Sequence, residues 1–227
     1  MKRLTSIFAL AVMVFVFTAC SGQGDDTTEA TAAPTEQTDD SGAEDSRENE
    51  GDDMNILVAY FSRAGENYNV GVIEKGNTEK VAEIMAEETG GDLFTIETVE
   101  SYPQGYDECT EVAQVEKAEN ARPELIANVE NMADYDVIFL GYPSWWSDMP
   151  MAVYTFLEGY DFSGKTIVPF CTHEGSGLAS TESSIEEVCS GAEVLGGLEM
   201  RGSVAQNQPE EAAAAVREWL AENGFVN

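Results

Sequence analysis

The sequence predicts an α/β sandwich built on a five-stranded parallel sheet. Three observations carry that expectation. Short apolar runs recur along the chain, at Met54 to Phe61, Val137 to Gly141 and Lys165 to Cys171. Such runs suit strands buried on both faces. Helix-period segments alternate with them, each bounded by cap, glycine or proline signals. Unusual composition gathers just after three of the strands, and right-handed crossovers bring those three loops to one edge of the sheet.

In chain order, Met54 to Phe61 is the first strand, and Ser62-Arg63-Ala64-Gly65 turns the chain. A polar stretch runs to Lys75. Val81, Ile84, Met85 and Glu88 share one face of a helix that Asn77 or Thr78 would cap and Gly90-Gly91 would stop. Asp92 to Val99 alternates and forms the second strand. Tyr102 to Glu130 is a longer connection, with helical pieces expected at Glu111 to Ala118 and Pro123 to Val129. Val137 to Gly141 is the third strand. It is expected to stop before Pro143, which lacks the N–H a ladder needs, and a short helix follows from Ala152 to Glu158. Lys165 to Cys171 is the fourth strand, in which Pro169 implies a local irregularity. Ser180 to Cys189 is a helix. Ala192 to Met200 is a fifth strand interrupted by Gly196-Gly197. Pro209, at a favoured first-turn position, opens the last helix, which runs to Glu222.

The ends are of another kind. Lys2 and Arg3 precede an apolar run from Ile7 to Phe17, too short to span a bilayer comfortably but suited to a signal peptide. Phe17-Thr18-Ala19-Cys20 resembles the lipobox of bacterial lipoproteins, with Phe17 where Leu is usual. That resemblance implies lipidation of Cys20, which would become the mature N-terminus; ordinary cleavage near Ala19 is the alternative. Ser21 to Asp53 carries 12 acids against Arg47 alone and contains no aromatic residue. It cannot bury enough surface to offset its ordering entropy, and its charges should keep it extended as a tether. Met54 to Asn227 is one domain's length.

That domain holds 31 acidic and eight basic residues, net −23. So acidic a surface argues against nucleic acid and against anionic lipid head groups, leaving the lipid alone as the membrane link. Cys109, Cys171 and Cys189 are an odd number, so at least one stays unpaired. There is no CxxC, and His173 is the only histidine, which leaves little for a zinc site.

The three loops are the candidate site. Ser62, Asn77 and Thr78 offer side-chain donors beside a helix start, a place suited to phosphate. Neither a nucleoside-triphosphate P-loop nor a GxGxxG fingerprint is present. Trp145 and Trp146, between Pro143 and Pro150, could flank a flat ring or could cap the core. Thr172, His173 and Ser176 lie in a loop where Gly175 and Gly177 let backbone approach a ligand. A phosphate site plus an aromatic slot fits a mononucleotide with a large flat ring.

Three motifs stand in this order: Ser62-Arg63-x-Gly65-Glu66-Asn67 with Gly76-Asn77-Thr78-Glu79-Lys80-Val81-Ala82, then Gly141 to Pro150, then Pro169 to Gly177. Together they resemble the flavodoxin-like proteins, over nearly all of Met54 to Asn227. The resemblance implies strand order 2-1-3-4-5 and non-covalent FMN at the carboxyl edge. It implies that Ser62, Arg63, Asn77 and Thr78 hold the phosphate. Pro143, Ser144, Trp145 and Trp146 would line one side of the ring, and Thr172, His173, Gly175, Ser176 and Gly177 the other. Two features depart from common flavodoxins: the Glu66 to Lys75 insertion in the phosphate loop, and the lipobox.

The implied function is an FMN redox protein anchored outside the cytoplasmic membrane, serving partner proteins or quinone-type acceptors, with no side chain required as acid or nucleophile. An NAD(P)H-dependent quinone or nitro reductase and a flavin-free binding lipoprotein are the alternatives. Because Ser144 to Asp148 lacks glycine, the loop is expected to avoid positive φ, which would favour electrons moving in pairs.

Overall fold

A computed structural model describes residues 54–226. The lipobox, Cys20 and the acidic tether lie outside the described residues.

The sheet is parallel and has the expected order. β1 (Ile56–Tyr60) lies between β4 (Asp92–Thr95) and β5 (Val137–Pro143), and β6 (Thr166–His173) continues beyond β5. On the far side of β6 the fifth strand is split, as Gly196-Gly197 foretold, into β7 (Glu193–Val194) and β8 (Leu198–Arg201), both parallel to β6. The irregularity expected at Pro169 is this split. β7 pairs with Thr166 and Ile167, β8 with Phe170 to His173, and Pro169 falls between. Leu195 N–H donates to Ile167 O at 3.0 Å, so odd-numbered residues of β6 face this side. The missing N–H of Pro169 therefore points where no strand needs it. Gly197 fits the same junction, since a Cβ there would meet Pro169 O and its ring.

Each face of the sheet carries its own core. Val58, Phe139, Val168 and Phe170 pack under α1 (Asn77–Thr89) and α6 (Pro209–Glu222). Leu57, Ile138, Leu140 and Tyr142 pack under α3 (Met151–Glu158) and α4 (Thr181–Val188). Strands buried on both faces are why these runs read as unbroken apolar stretches. α2 (Tyr106–Glu119) neighbours α3.

Several boundaries move. β5 runs through Pro143, which pairs with Thr172. Phe61 N–H donates to Gly141 O, so Pro143 faces the β1 side, where β1 has already ended and no N–H is called for. α2 begins at Tyr106, earlier than expected. The segment 123–129 is not helical: Val99 N–H bonds Glu124 O and Ile126 N–H bonds Glu97 O, making a short antiparallel contact instead. The polar stretch before Lys75 is a hairpin, β2 (Gly65–Asn67) with β3 (Gly71–Ile73). An added helix, α5 (Gly202–Asn207), follows β8.

Neither Asn77 nor Thr78 caps α1. The cap position is Gly76, which has no side chain, and the capping oxygen comes from Ser62, whose Oγ accepts from Glu79 N–H at 3.1 Å. Gly76 is required there because a Cβ would collide with Ser62. Gly90, at φ 71, ends the helix as expected, its N–H bonding Ala86 O.

Candidate functional site

A cavity of about 470 Å³ opens at the carboxyl edge of β1, β5 and β6. All three loops singled out in the sequence reach it. From the first come Arg63 and Asn77; from the second, Pro143, Ser144, Trp145 and Trp146; from the third, Thr172 and His173.

Other expected residues stand behind the cavity wall. Ser62 lines a separate hollow of about 220 Å³ and is engaged in capping α1. Thr78 is 1% exposed, and its Oγ1 lies 2.7 Å from Oγ1 of Thr172, itself 3% exposed. This hydroxyl pair joins the start of α1 to the end of β6. What Thr78 can turn towards a ligand is its N–H, among the first of α1 and without an intrahelical acceptor. Gly175, Ser176 and Gly177 also stay off the wall. Ser176 Oγ donates to Ser144 Oγ at 2.8 Å, joining the second and third loops. Gly175, at φ 133, donates its N–H to His173 Nδ1 at 2.8 Å and so fixes the ring. Gly177, at φ 61, leaves room for Glu199, whose Oε1 accepts from Leu178 N–H at 2.9 Å.

Arg63 lines the cavity, yet its guanidinium is occupied. Nη1 donates to Pro103 O at 2.8 Å and to Gln104 O at 3.1 Å, and Nη2 to Glu66 O. It straps the hairpin to the loop before α2. Asn77 is different. Its Oδ1 is buried and has no hydrogen-bond partner among the described residues. Such a group costs roughly 1–3 kcal/mol. Asn77 lines the cavity, and its Nδ2 is not among the buried unpartnered atoms, so that end of the amide is the donor an anion would use beside the positive end of α1.

The two tryptophans have separate duties. Trp145 is half-buried and meets Phe61 and Tyr102 edge-on, at centroid distances of 5.3 and 5.0 Å. It caps the core and lines the cavity at once. Trp146 is 50% exposed. Its Nε1–H donates to Thr110 O on α2 at 3.1 Å. Between Trp145 and Asp148 the chain makes a two-residue turn closed by two backbone bonds of 2.9 and 3.1 Å. Its central residues, Trp146 at φ 54 and Ser147 at φ 57, are both left-handed. The expectation that a loop without glycine avoids positive φ is therefore overturned. Outside contacts hold the turn. Lys117 Nζ donates to Trp146 O at 2.8 Å and pairs with Asp148 at 3.0 Å, while Asp148 Oδ1 accepts from Tyr154 OH at 2.8 Å. Those bonds offset the strain of two side-chain-bearing residues at positive φ.

Sequence reasoning missed one wall altogether. Asn67 and Tyr68 of the hairpin and Tyr106, Cys109, Thr110 and Ala113 of α2 complete the cavity, with Glu174 at the rim. Tyr106, Cys109, Thr110 and Ala113 stand at i, i+3, i+4 and i+7, one face of a helix. A helix expected only from Glu111 leaves Tyr106, Cys109 and Thr110 outside it, so this face is not legible until α2 is seen to start at Tyr106. Burial pushes the Cys109 thiol up, with Arg63 acting the other way. Deeper in, Tyr102 OH donates to Glu116 at 2.7 Å; burial raises both groups. Glu174 bonds Ser203 N–H at 2.6 Å and Asn69 Nδ2 at 3.1 Å, closing the third loop against α5 and the hairpin tip.

A doubly wound parallel sheet with loops of this kind at its carboxyl edge defines a class of nucleotide-cofactor proteins. The chain belongs to the flavodoxin family, whose pattern it matches over residues 55–220. A Bacteroides eggerthii protein provisionally assigned as a flavoprotein is 30% identical, with TM-score 0.59, covering 74% of this chain and 96% of its own. A Bacteroides uniformis counterpart, assigned in the same way, is 26% identical with TM-score 0.59, covering 74% and 98%. A flavoprotein from Lactobacillus acidophilus in complex with FMN shares the fold at TM-score 0.51 and 21% identity, covering 69% and 99%. No curated protein matches.

Proposed function

We propose that the domain holds FMN in this cavity and acts as a flavodoxin-like redox protein delivering electrons to small quinone-type acceptors. The observation that carries the reading is the convergence of three loops on one cavity, with Asn77, whose buried Oδ1 has no partner among the described residues, at a helix start and two tryptophans beside it. Family membership and the FMN complex of a structural neighbour support the cofactor. The residues fit it. Asn77 and the first N–H groups of α1 would take the phosphate, and Trp145, Trp146, Ser144 and His173 would bound the ring. FMN would supply the redox chemistry. The chain would bind it, orient it and exclude water, with Thr78–Thr172 and Ser144–Ser176 keeping the three loops in register.

The test is the absorbance spectrum of the purified protein. Flavin bands, with FMN released on unfolding, support the reading; a colourless protein that takes up no added FMN rejects it. From the lipobox-like Phe17-Thr18-Ala19-Cys20 we also propose that the domain stands outside the cytoplasmic membrane, on a lipid carried by Cys20. Cys20→Ala should move the protein out of the membrane fraction or leave its signal uncleaved, and unchanged membrane association would reject the anchor.

A further inference from the structure

Resting on the FMN reading, we propose that the hairpin side of the cavity is a second aromatic site, taking a neutral planar ring of the quinone class beside the flavin. Four observations lead there. First, Tyr68 is 59% exposed yet faces the cavity, and its ring lies against that of Tyr106 at 5.9 Å and 31°. Second, the hairpin does not need Tyr68 for its own attachment. Polar bonds hold it: Glu66 N–H to Gln104 O at 2.8 Å, Tyr106 N–H to Glu66 at 3.1 Å, and Asn69 to Glu174 at 3.1 Å. A ring this exposed, on a hairpin that polar bonds already hold, has a face available to a ligand. Third, Cys109 and Ala113 make the adjoining wall uncharged and largely apolar, while the Thr110 carbonyl is taken by Trp146.

The fourth observation sets the charge of the occupant. Among the described residues lining the cavity, Arg63 is the one lysine or arginine, and it is committed to three backbone carbonyls. Lys117, next to it, is committed to Asp148 and Trp146 O. Glu174 lines the rim, and the domain carries −23 overall. The diphosphate of a nicotinamide dinucleotide therefore meets no free lysine or arginine among the described residues that line the cavity. A neutral ring loses nothing by that, and it gains the faces of Tyr68 and Tyr106.

Menadione tests the site by calorimetry on the oxidised, FMN-loaded full-length protein, without reductant, so that nothing turns over. Tyr68→Ala and Tyr106→Ala should each weaken menadione binding about three- to tenfold, as the loss of an aromatic contact implies. FMN affinity, read by flavin fluorescence, should fall less than menadione affinity in both variants, and Tyr68→Phe should retain menadione. NADP⁺ should bind more weakly than menadione. Unchanged menadione affinity in Tyr68→Ala overturns the proposal, as does an equal loss of FMN and menadione, or NADP⁺ binding as tightly. A protein that takes up no flavin defeats the FMN reading instead, and menadione titrated into that flavin-free protein, wild type against Tyr68→Ala, still decides the ring site.

Discussion

Thr78 and Thr172 offer a double-mutant cycle that separates two roles. Their hydroxyls are 2.7 Å apart, both threonines are nearly sealed from water, and each hydroxyl supplies the other's partner. Replacing either with Val keeps the shape but strands the other hydroxyl. An unsatisfied buried group costs about 1–3 kcal/mol. Each single variant should therefore lose that much stability, near 2–4 °C in Tm per kcal/mol for a domain of this size. The double variant removes both hydroxyls and should return to within about 1 kcal/mol of wild type, a strong departure from additivity. Urea unfolding followed by circular dichroism measures the cycle. Ligand binding supplies the second readout. Because Thr78 does not line the cavity and its hydroxyl is taken by Thr172, Thr78→Val should affect FMN and riboflavin alike. Additive singles would refute the paired geometry. A selective loss of FMN, with riboflavin unchanged, would put the Thr78 hydroxyl on the phosphate after all.

Other consequences can be checked alongside. Asn77→Ala should weaken FMN about ten- to a hundredfold, the equivalent of one hydrogen bond to a charged group at about 1.5–3 kcal/mol, and leave riboflavin nearly unchanged; equal losses would place the phosphate elsewhere. Ser147→Gly should stabilise the protein by roughly 0.5–1 kcal/mol in urea unfolding, since glycine takes φ 57 without strain; destabilisation would mean that the Ser147 side chain makes a contact of its own. Burial pushes the Cys171 and Cys189 thiols from an ordinary 9.0 up to about 12. A raised folded-state value favours the protonated form in the native protein, so this contribution to stability is full below pH 9 and is lost as pH rises towards 12. Equilibrium unfolding between those limits should show the decline, and a flat profile would contradict it.

The sequence by itself determined the architecture. Strands buried on both faces must be apolar throughout, so β1, β5 and β6 announce themselves without any partner being known. Crossover handedness then fixes which loops share an edge, and three of the site's walls follow. Even the Pro169 irregularity and the Gly196-Gly197 break were legible, because a missing N–H and a missing Cβ are local facts. Tertiary structure decided what each polar atom does. Ser62 caps a helix 17 residues away, Thr78 turns inward to Thr172, and Arg63 straps carbonyls 40 and 41 residues on. Trp146 and Ser147 hold left-handed backbone because Lys117, Thr110 and Tyr154 grip the turn from two other helices. A side chain's type states which bonds it can make. Which bond it does make depends on what other segments bring within about 3 Å, and only the assembled fold sets those distances.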